Sequence, residues 1–200
     1  MDHKTEVKPV ARIPDIQATP MTAAAQAVFD KIAAGPRGKV EGPLRIWLHR
    51  PQLANLSQSL GAYCRYETSL SPRLSELAIL VVGAHWRAGF EWFVHAPIAA
   101  TAGLPAAAIE AIRVGREPTL ESDEERAVYD FAQSLVTTSR IPDSTFQRAQ
   151  LVLGEQRLVD LVGIIGYYSY IAMTIVTFAV DVPEPDPFAD LGAPEWTRRS

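Results

Sequence analysis

The sequence predicts an all-helical bundle, and three observations lead to that prediction. Apolar residues recur at helical spacing in several segments, and no segment shows the strict apolar–polar alternation of a half-buried strand. A hydroxyl residue followed by proline, which favours the first turn of a helix, occurs at Thr19-Pro20 and again at Ser71-Pro72. Near the carboxyl end, the 20 residues 161–180 carry no charge and belong to the longest predicted helix.

Most of the predicted helices begin at a capping residue or a proline, and several end near a glycine. Ser122 and Glu125 form a capping box at the start of one helix, Asp143 should cap the next, and Gly154 should separate that helix from the last one. The ranges expected along the chain are 21–34, 44–49, 51–66, 71–86, 87–103, 105–115, 122–138, 143–154 and 156–180.

The chain should form one helical domain with an arm and a tail. Its 200 residues suffice for one domain with its own core, or for a subunit that shares its core with partners. Residues 1–18 are polar and should form a flexible arm, and the helical domain should span 19–182. Residues 183–200 contain four prolines, so we expect an extended tail that lies across a neighbouring subunit.

The composition excludes several functional classes. The hydrophobic fraction of 48% and the charged fraction of 21% are ordinary for a soluble globular protein. The net charge of -4 and the lack of a basic stripe give no support for a nucleic-acid partner. The single cysteine, Cys64, forms no intrachain disulfide and favours a reducing compartment. Because the first residues hold no apolar leader segment, the expected location is the cytoplasm.

The uncharged run 161–180 has two interpretations. It is long enough to span a bilayer. However, Asp160 and Asp181 flank it without a Lys or Arg bias, and Gly, Tyr, Ser and Thr residues interrupt it. A helix that is apolar all round is also typical of a large core or a subunit interface. We therefore expect a buried helix, no membrane partner and a homo-oligomer.

Three titratable residues in the central region form a candidate proton-transfer site. Glu76 lies beside the apolar run LAILVV, while Glu91 and His95 are four residues apart and share a helix face with Ala88. Burial raises the pKa of an unpaired carboxyl, which would prepare Glu76 to exchange protons. Two structural interpretations remain open: Glu76 pairs with Arg73, or Glu91 and His95 form a plain surface pair.

The order and spacing of these residues resemble the carboxymuconolactone decarboxylase and alkylhydroperoxidase D family. The thiol members carry a glutamate, twelve residues later a C-x-x-C pair, and a histidine four residues after the second cysteine. Here the four positions read Glu76, Ala88, Glu91 and His95. The chain is therefore similar to the branch without the thiol pair, whose E-W-x-x-H-like segment matches Glu91, Trp92 and His95.

The resemblance extends from about residue 44 to residue 182 and implies an all-α, alkylhydroperoxidase D-like bundle that assembles as a trimer or hexamer. It also implies acid–base chemistry without a metal or an organic cofactor. The implied catalytic residues are Glu76, Glu91 and His95. Either His95 or Glu91 would protonate carbon, and Glu76 would orient His95 or relay its proton.

Three further residues are candidates for substrate binding. Arg87, with Arg73 as the alternative, is predicted to hold a substrate carboxylate, since arginine recognises carboxylates in a planar, bidentate way. Trp47 lies in IWLHRP, which resembles a family segment near the active site. Tyr168 is predicted to reach the pocket with its hydroxyl. Trp47 and Tyr168 are also typical core aromatics, and that interpretation stays open.

No metal site is predicted. A two-histidine, one-carboxylate set would need His85 beside Glu91 and His95. On a single helix, His85 falls roughly 80° away from His95, and the sequence holds no HExxH pattern.

The sequence therefore predicts a cofactor-independent enzyme similar to carboxymuconolactone decarboxylase, acting on a small carboxylated lactone or keto acid in the catabolism of aromatic compounds. Decarboxylation, isomerisation, hydration and lactone hydrolysis use similar groups. A thiol peroxidase is disfavoured because Ala88 and Glu91 replace both cysteines. A non-catalytic binding or assembly protein is the alternative, and one cavity shared by Glu76, Glu91 and His95 would favour the enzyme.

Overall fold

The computed structural model describes residues 12–182 and 185–192. Within these ranges the chain forms α-helices, one short 3₁₀ helix and no strand, which confirms the all-helical prediction. The helices are α1 (Ala23–Ala34), α2 (Pro43–Trp47), α3 (Pro51–Tyr66), α4 (Pro72–Trp86), α5 (Gly89–Thr101), α6 (Ala106–Arg113), α7 (Asp123–Thr138) and α8 (Asp143–Phe178).

The helix starts agree with the sequence where a serine hydroxyl caps the first turn. Ser71 accepts a hydrogen bond from the Leu74 amide at the start of α4, and Ser122 accepts one from the Glu125 amide at the start of α7. The predicted start of α1 is wrong by two residues. The cap is Thr22 rather than Thr19, because its hydroxyl accepts the amide hydrogen of the third residue along.

Helix α8 consists of two helical segments that meet at Gly154. This residue has φ 74° and ψ 168°, a conformation that glycine adopts without the steric cost of a Cβ. The predicted division at Gly154 is therefore confirmed. The predicted cap is not, since Pro142 occupies the N-cap position instead of Asp143 and no side chain caps the helix.

Helix α4 forms the centre of the bundle and packs against α5, α7 and α8. Its residues are buried almost all round, and Leu77, Ala78, Leu80 and Val82 have no exposed surface. A helix that buries every face must be enclosed by other elements. Consequently a polar side chain on α4, such as Glu76, has to find its partner inside the protein.

The uncharged part of α8 buries one face against this core. Leu161, Ile164, Tyr168 and Ala172 are buried there. By length and composition alone α8 would also suffice to cross a membrane, but the single chain already covers this face with protein. The opposite face remains exposed in the single chain, so the prediction of a helix buried all round is met on one side only.

Part of the predicted extended tail folds back onto the domain. Residues Ala189–Leu191 form a 3₁₀ helix, and Phe188 is buried against Trp92, with ring centroids 5.4 Å apart. Arg113 also binds Asp190 at 2.6 Å. An apolar ring and an ion pair therefore hold residues 185–192 on their own chain. Residues 1–11, 183–184 and 193–200, where the rest of the predicted arm and tail falls, lie outside the described residues.

Candidate active site

A cavity of about 430 Å³ lies between α3, α5, α8 and the loop that precedes α2. This volume falls within the range of roughly 300–1,000 Å³ that is typical of small-molecule pockets. Its apolar wall consists of Pro43, Leu44, Phe90, Phe93, Val94, Pro97, Ile98, Ile171 and Ile175. Its polar side chains are Arg37, Lys39, Glu41, Arg65, Tyr66, Glu91, His95, Tyr167 and Tyr168.

A tight connection between α4 and α5 positions the predicted acid and base groups. Arg87, the residue after α4, adopts the left-handed conformation with φ 51°, and the Ala88 amide donates to the Gly83 carbonyl at 2.9 Å. Because α5 then runs back along α4, one face of α5 meets the buried side chain of Glu76. Glu91 and His95 lie on that face, one turn apart.

Glu76 and His95 form a buried hydrogen-bonded pair. The distance from His95 Nδ1 to Glu76 Oε2 is 2.8 Å, and both residues are buried. A carboxylate only accepts hydrogen bonds, so Nδ1 carries the proton and Nε2 is left as the acceptor. Burial disfavours the imidazolium and lowers the pKa of His95, although the bond to Glu76 opposes that shift.

Glu91 is buried without a partner. It is 2% exposed, and neither carboxyl oxygen has a hydrogen-bond partner among the described residues. Burial raises the pKa of Glu91 well above its ordinary value, and the nearby Glu76 raises it further. Burial therefore favours the neutral carboxylic acid form of Glu91, the form that can donate a proton.

The structure brings the three predicted catalytic residues together, with different exposure to the cavity. Glu91 and His95 line it, whereas Glu76 lies behind His95 and does not. Tyr168 also lines the cavity, edge-on to the imidazole of His95 with centroids 5.0 Å apart. Glu76 pairs with His95 and not with Arg73, which binds Glu121 at 2.7 Å and also Glu125.

Two of the predicted substrate-binding residues lie elsewhere. Arg87 points toward the folded-back tail, where its guanidinium carbon lies 5.8 Å from the centroid of the Phe188 ring. Trp47 is buried, donates from its indole nitrogen to the Thr174 hydroxyl at 3.0 Å, and stacks on Tyr170 with centroids 4.7 Å apart. Both predictions are corrected: Arg87 caps a helix and Trp47 packs in the core.

The metal alternative also finds no support in the geometry. His85 lines a separate, smaller cavity with Arg87 and Tyr129, away from Glu91 and His95. In the described part of the chain, no group of three or more His, Cys, Asp or Glu side chains is arranged to hold a metal ion.

Sequence reasoning did not single out six of the nine polar residues of the cavity, among them Arg37, Arg65 and Tyr167. Arg37 comes from a loop of the GPRGK type, Arg65 from the end of α3 and Tyr167 from α8. One signal was present: a glycine inside a helix often marks a close approach. At Gly61, in the middle of α3, an added Cβ would lie 1.9 Å from the Tyr167 hydroxyl and 2.6 Å from Arg37 Nη2.

The central residues also lie in a part of the chain that matches a known protein family. Residues 51–134 match the model of the carboxymuconolactone decarboxylase family. The family resemblance is confirmed. The matched carboxymuconolactone decarboxylase segment contains Glu76, Glu91 and His95. No curated protein matches the sequence.

The same fold occurs in solved structures of the alkylhydroperoxidase D type. An uncharacterized peroxidase-related protein from Silicibacter sp. TM1040 has a TM-score of 0.73 and 14% identity, over 92% of this chain and 97% of that one. A peroxidase-related protein with an AhpD core from Ralstonia eutropha JMP134 has a TM-score of 0.71 and 13% identity, over 94% of this chain and 100% of that one. A debrominase Bmp8 variant in complex with 2,3,4-tribromopyrrole has a TM-score of 0.67 and 16% identity, over 96% of this chain and 98% of that one. At these identities the likeness establishes the fold alone.

Proposed function

We propose that this chain is a cofactor-independent acid–base enzyme that acts on a small carboxylated lactone or keto acid, by decarboxylation or a related lyase, isomerase or hydrolase step. One observation carries the proposal: a buried carboxyl without a hydrogen-bond partner, Glu91, and an imidazole held by Glu76, that of His95, border one cavity. The family match and a neighbour that is a debrominase favour an enzyme over a passive scaffold.

Glu91 is assigned as the proton donor. Its proton is retained because burial disfavours the carboxylate, and general acid catalysis needs a group that is protonated at the working pH. Both oxygens are covered in the free protein. Transfer to a bound substrate therefore involves a turn of the side chain or one intervening water.

His95 is assigned as the base or hydrogen-bond acceptor. Glu76 accepts a hydrogen bond from the Nδ1–H group, which fixes the tautomer and leaves Nε2 for the substrate. Glu76 does not border the cavity and is thus a positioning residue. Tyr168 adds an aromatic wall beside the imidazole.

For decarboxylation, the carbon–carbon bond to the carboxylate breaks, and its electron pair passes into a neighbouring carbonyl as an enolate. The enolate carbon then takes the proton of Glu91, and the resulting carboxylate regains a proton from solvent. In the isomerase version, His95 removes the proton from one carbon and Glu91 supplies one to another; His95 then releases its proton to solvent and Glu91 takes one up. Both versions balance without an electron acceptor.

Thiol chemistry is not part of the proposal. Cys64 is the only cysteine and is buried. Burial raises the pKa of its thiol to about 11, so the reactive thiolate is scarce at neutral pH.

The test measures turnover on a panel of β-keto acids and carboxylated lactones. We expect His95→Asn to lower turnover by roughly 10²–10⁴-fold and Glu76→Gln to lower it less. The double variant should cost little more than His95→Asn, since the two residues act as one unit. Folded protein without turnover on any member would support the non-catalytic alternative, whereas additive losses would show that Glu76 and His95 act independently.

The proposal includes a cytoplasmic homo-oligomer, a trimer or hexamer. Its support is an apolar surface on the single chain, contributed by α3 and α8 at helical spacing. The exposed residues are Leu53, Leu56, Leu60, Val159, Val162, Met173 and Val176. Light scattering without detergent should give at least three times the subunit mass of 21.9 kDa. A stable monomer, or a need for detergent, contradicts it.

A further inference from the structure

The cationic side chains that border the cavity carry more positive charge than their ion pairs neutralise. Arg37, Lys39 and Arg65 border it. Lys39 pairs with Glu41 at 2.6 Å, and burial favours the neutral form of Glu91 by raising its pKa. Neither Arg37 nor Arg65 forms an ion pair with a described residue. The cavity therefore offers two guanidinium groups without a counter-ion.

Arg37 also presents hydrogen-bond donors that nothing satisfies. Its Nε and Nη2 are shielded from solvent and have no partner among the described residues. These two nitrogens lie on the same edge of the guanidinium, the edge that binds a carboxylate through two parallel hydrogen bonds. Buried polar groups without partners are rare in proteins and need an explanation.

The hydroxyl of Tyr167 lies next to this edge and is unsatisfied as well. Tyr167 is 3% exposed, and its hydroxyl has no hydrogen-bond partner in the described part of the chain. Gly61 makes room for both groups, since a Cβ there would overlap the hydroxyl at 1.9 Å and Arg37 Nη2 at 2.6 Å. Three unused donors therefore converge beside one helix glycine.

We propose that Arg37 and Tyr167 form a carboxylate subsite, which holds the carboxylate that the substrate keeps throughout the reaction. Two guanidinium N–H groups and one phenol O–H match the two oxygens of a carboxylate. Arg37 belongs to the loop between α1 and α2. Because the donors are covered in the free protein, binding involves a turn of the Arg37 side chain toward the cavity. That the bound carboxylate is the substrate rests on the proposed function, but the binding of a carboxylate is independent of it.

The apolar wall completes the specificity of the subsite. Ile171 and Ile175 follow Tyr167 along α8, and Phe90 and Ile98 lie on α5 across the cavity. The apolar remainder of the bound carboxylate packs against this wall, which also borders Glu91 and His95. The substrate class is thus a small carboxylate with an apolar body.

The probe for this subsite is benzoate, with benzamide as the neutral analogue of the same shape. Isothermal titration calorimetry at pH 7 and low salt should show saturable benzoate binding by the full chain. Benzamide should bind at least about tenfold more weakly, because a hydrogen bond to a charged group contributes more than a neutral one. Arg37→Gln should weaken benzoate binding by about tenfold or more, and Tyr167→Phe by about two- to tenfold.

Two further variants keep the result interpretable. Arg37→Lys retains the charge without the planar fork, so its benzoate affinity should fall between those of wild type and Arg37→Gln. Arg50→Gln removes an exposed arginine that does not border the cavity, and it should bind benzoate as wild type does. Helix content by circular dichroism confirms that each variant is folded.

Several outcomes overturn the subsite: no saturable benzoate binding up to about 10 mM, equal affinity for benzoate and benzamide, or unchanged affinity in Arg37→Gln. The failure of the proposed function looks different. Benzoate affinity that depends on Arg37, together with a lack of turnover on the whole acid panel, retains the subsite and removes the enzyme. Turnover that depends on His95, with benzoate binding indifferent to Arg37, does the reverse.

Discussion

Two glutamates of this protein are equally buried and have opposite surroundings. Glu125 on α7 and Glu91 on α5 are each 2% exposed. Glu125 accepts from the Arg73 guanidinium and from the Glu121 amide at 2.6 Å. Glu91 has no hydrogen-bond partner among the described residues, and the negative charge of Glu76 raises its pKa further.

The difference favours a structural role for Glu125 and the proposed acid role for Glu91. A buried carboxylate with a cation and an amide donor offsets its desolvation and ties two helices together. A buried carboxyl without partners destabilises the fold by the cost of an unmade hydrogen bond. A protein keeps such a group where a neutral acid is needed beside a cavity. Glu91 borders the cavity and Glu125 does not.

The largest expected effect is on catalysis. Glu91→Gln should lower turnover by roughly 10²–10⁴-fold, because the amide keeps the shape of the side chain and removes its proton. Its matched control, Glu125→Gln, should lower the free energy of unfolding and leave turnover per folded molecule intact. Both quantities are measured on the same samples, turnover by initial rates and stability by urea unfolding.

Two results would reverse this assignment. If Glu125→Gln lost turnover while Glu91→Gln kept it, the unpartnered carboxyl would be a packing feature. If both variants lost only stability, Glu91 would be a structural residue like Glu125, and another group would supply the proton.

The sequence predicted this contrast only in part. The helices, the break at Gly154 and the shared face of Glu91 and His95 followed from spacing, since residues four apart share a helix face. The grouping of Glu76 with them followed from the family resemblance. The partner of Glu76 did not follow, because Arg73 and His95 both lie within reach in sequence, and only the packing of α5 on α4 selects His95.

The cationic residues of the cavity were beyond sequence reasoning for a related reason. Arg87 was the obvious arginine near Glu91, but its left-handed backbone directs it away from the cavity. Arg37 lies far from the motif in sequence and reaches the cavity through a loop. Loop conformation is set by long-range packing, and spacing along the chain does not reveal it.

The second effect is on stability and concerns the satisfied glutamate. Arg73→Leu should lower the free energy of unfolding by about 1–3 kcal/mol, because it leaves the Glu125 carboxyl buried without its cation. The estimate is below that for a fully buried pair, since the Arg73 side chain is 27% exposed. Urea unfolding followed by circular dichroism measures the change.

A control pair distinguishes burial from charge. Arg148 binds Asp123 at 3.0 Å, with both side chains well exposed. Arg148→Leu should therefore cost at most about 1 kcal/mol. Equal losses from the two arginine variants would show that the surroundings of Glu125 add nothing to an ordinary surface pair.

The most gradual effect, and the most direct test of the comparison, is the pH dependence of stability. The folded pKa of Glu91 lies well above its ordinary value of 4.5, so above pH 4.5 the unfolded chain releases this proton and the folded chain keeps it. The contribution of this carboxyl to the free energy of unfolding is fully present below pH 4.5 and is lost as pH rises toward the folded pKa. The loss should reach about 1.4 kcal/mol per pH unit, one proton's contribution.

His95 contributes with the opposite sign, and the two must be measured separately. Its folded pKa lies below the ordinary value of 6.5, so its stability contribution is lost as pH falls from 6.5 toward the folded pKa. Urea unfolding of wild type, Glu91→Gln and His95→Asn across pH 4 to 8 resolves the two trends. The Glu91→Gln variant should gain on wild type as pH rises, and His95→Asn should gain as pH falls. A constant difference between Glu91→Gln and wild type would mean that Glu91 ionises normally in the folded protein. The proposed acid would then carry no proton at neutral pH, and Glu91 would be a carboxylate like Glu125.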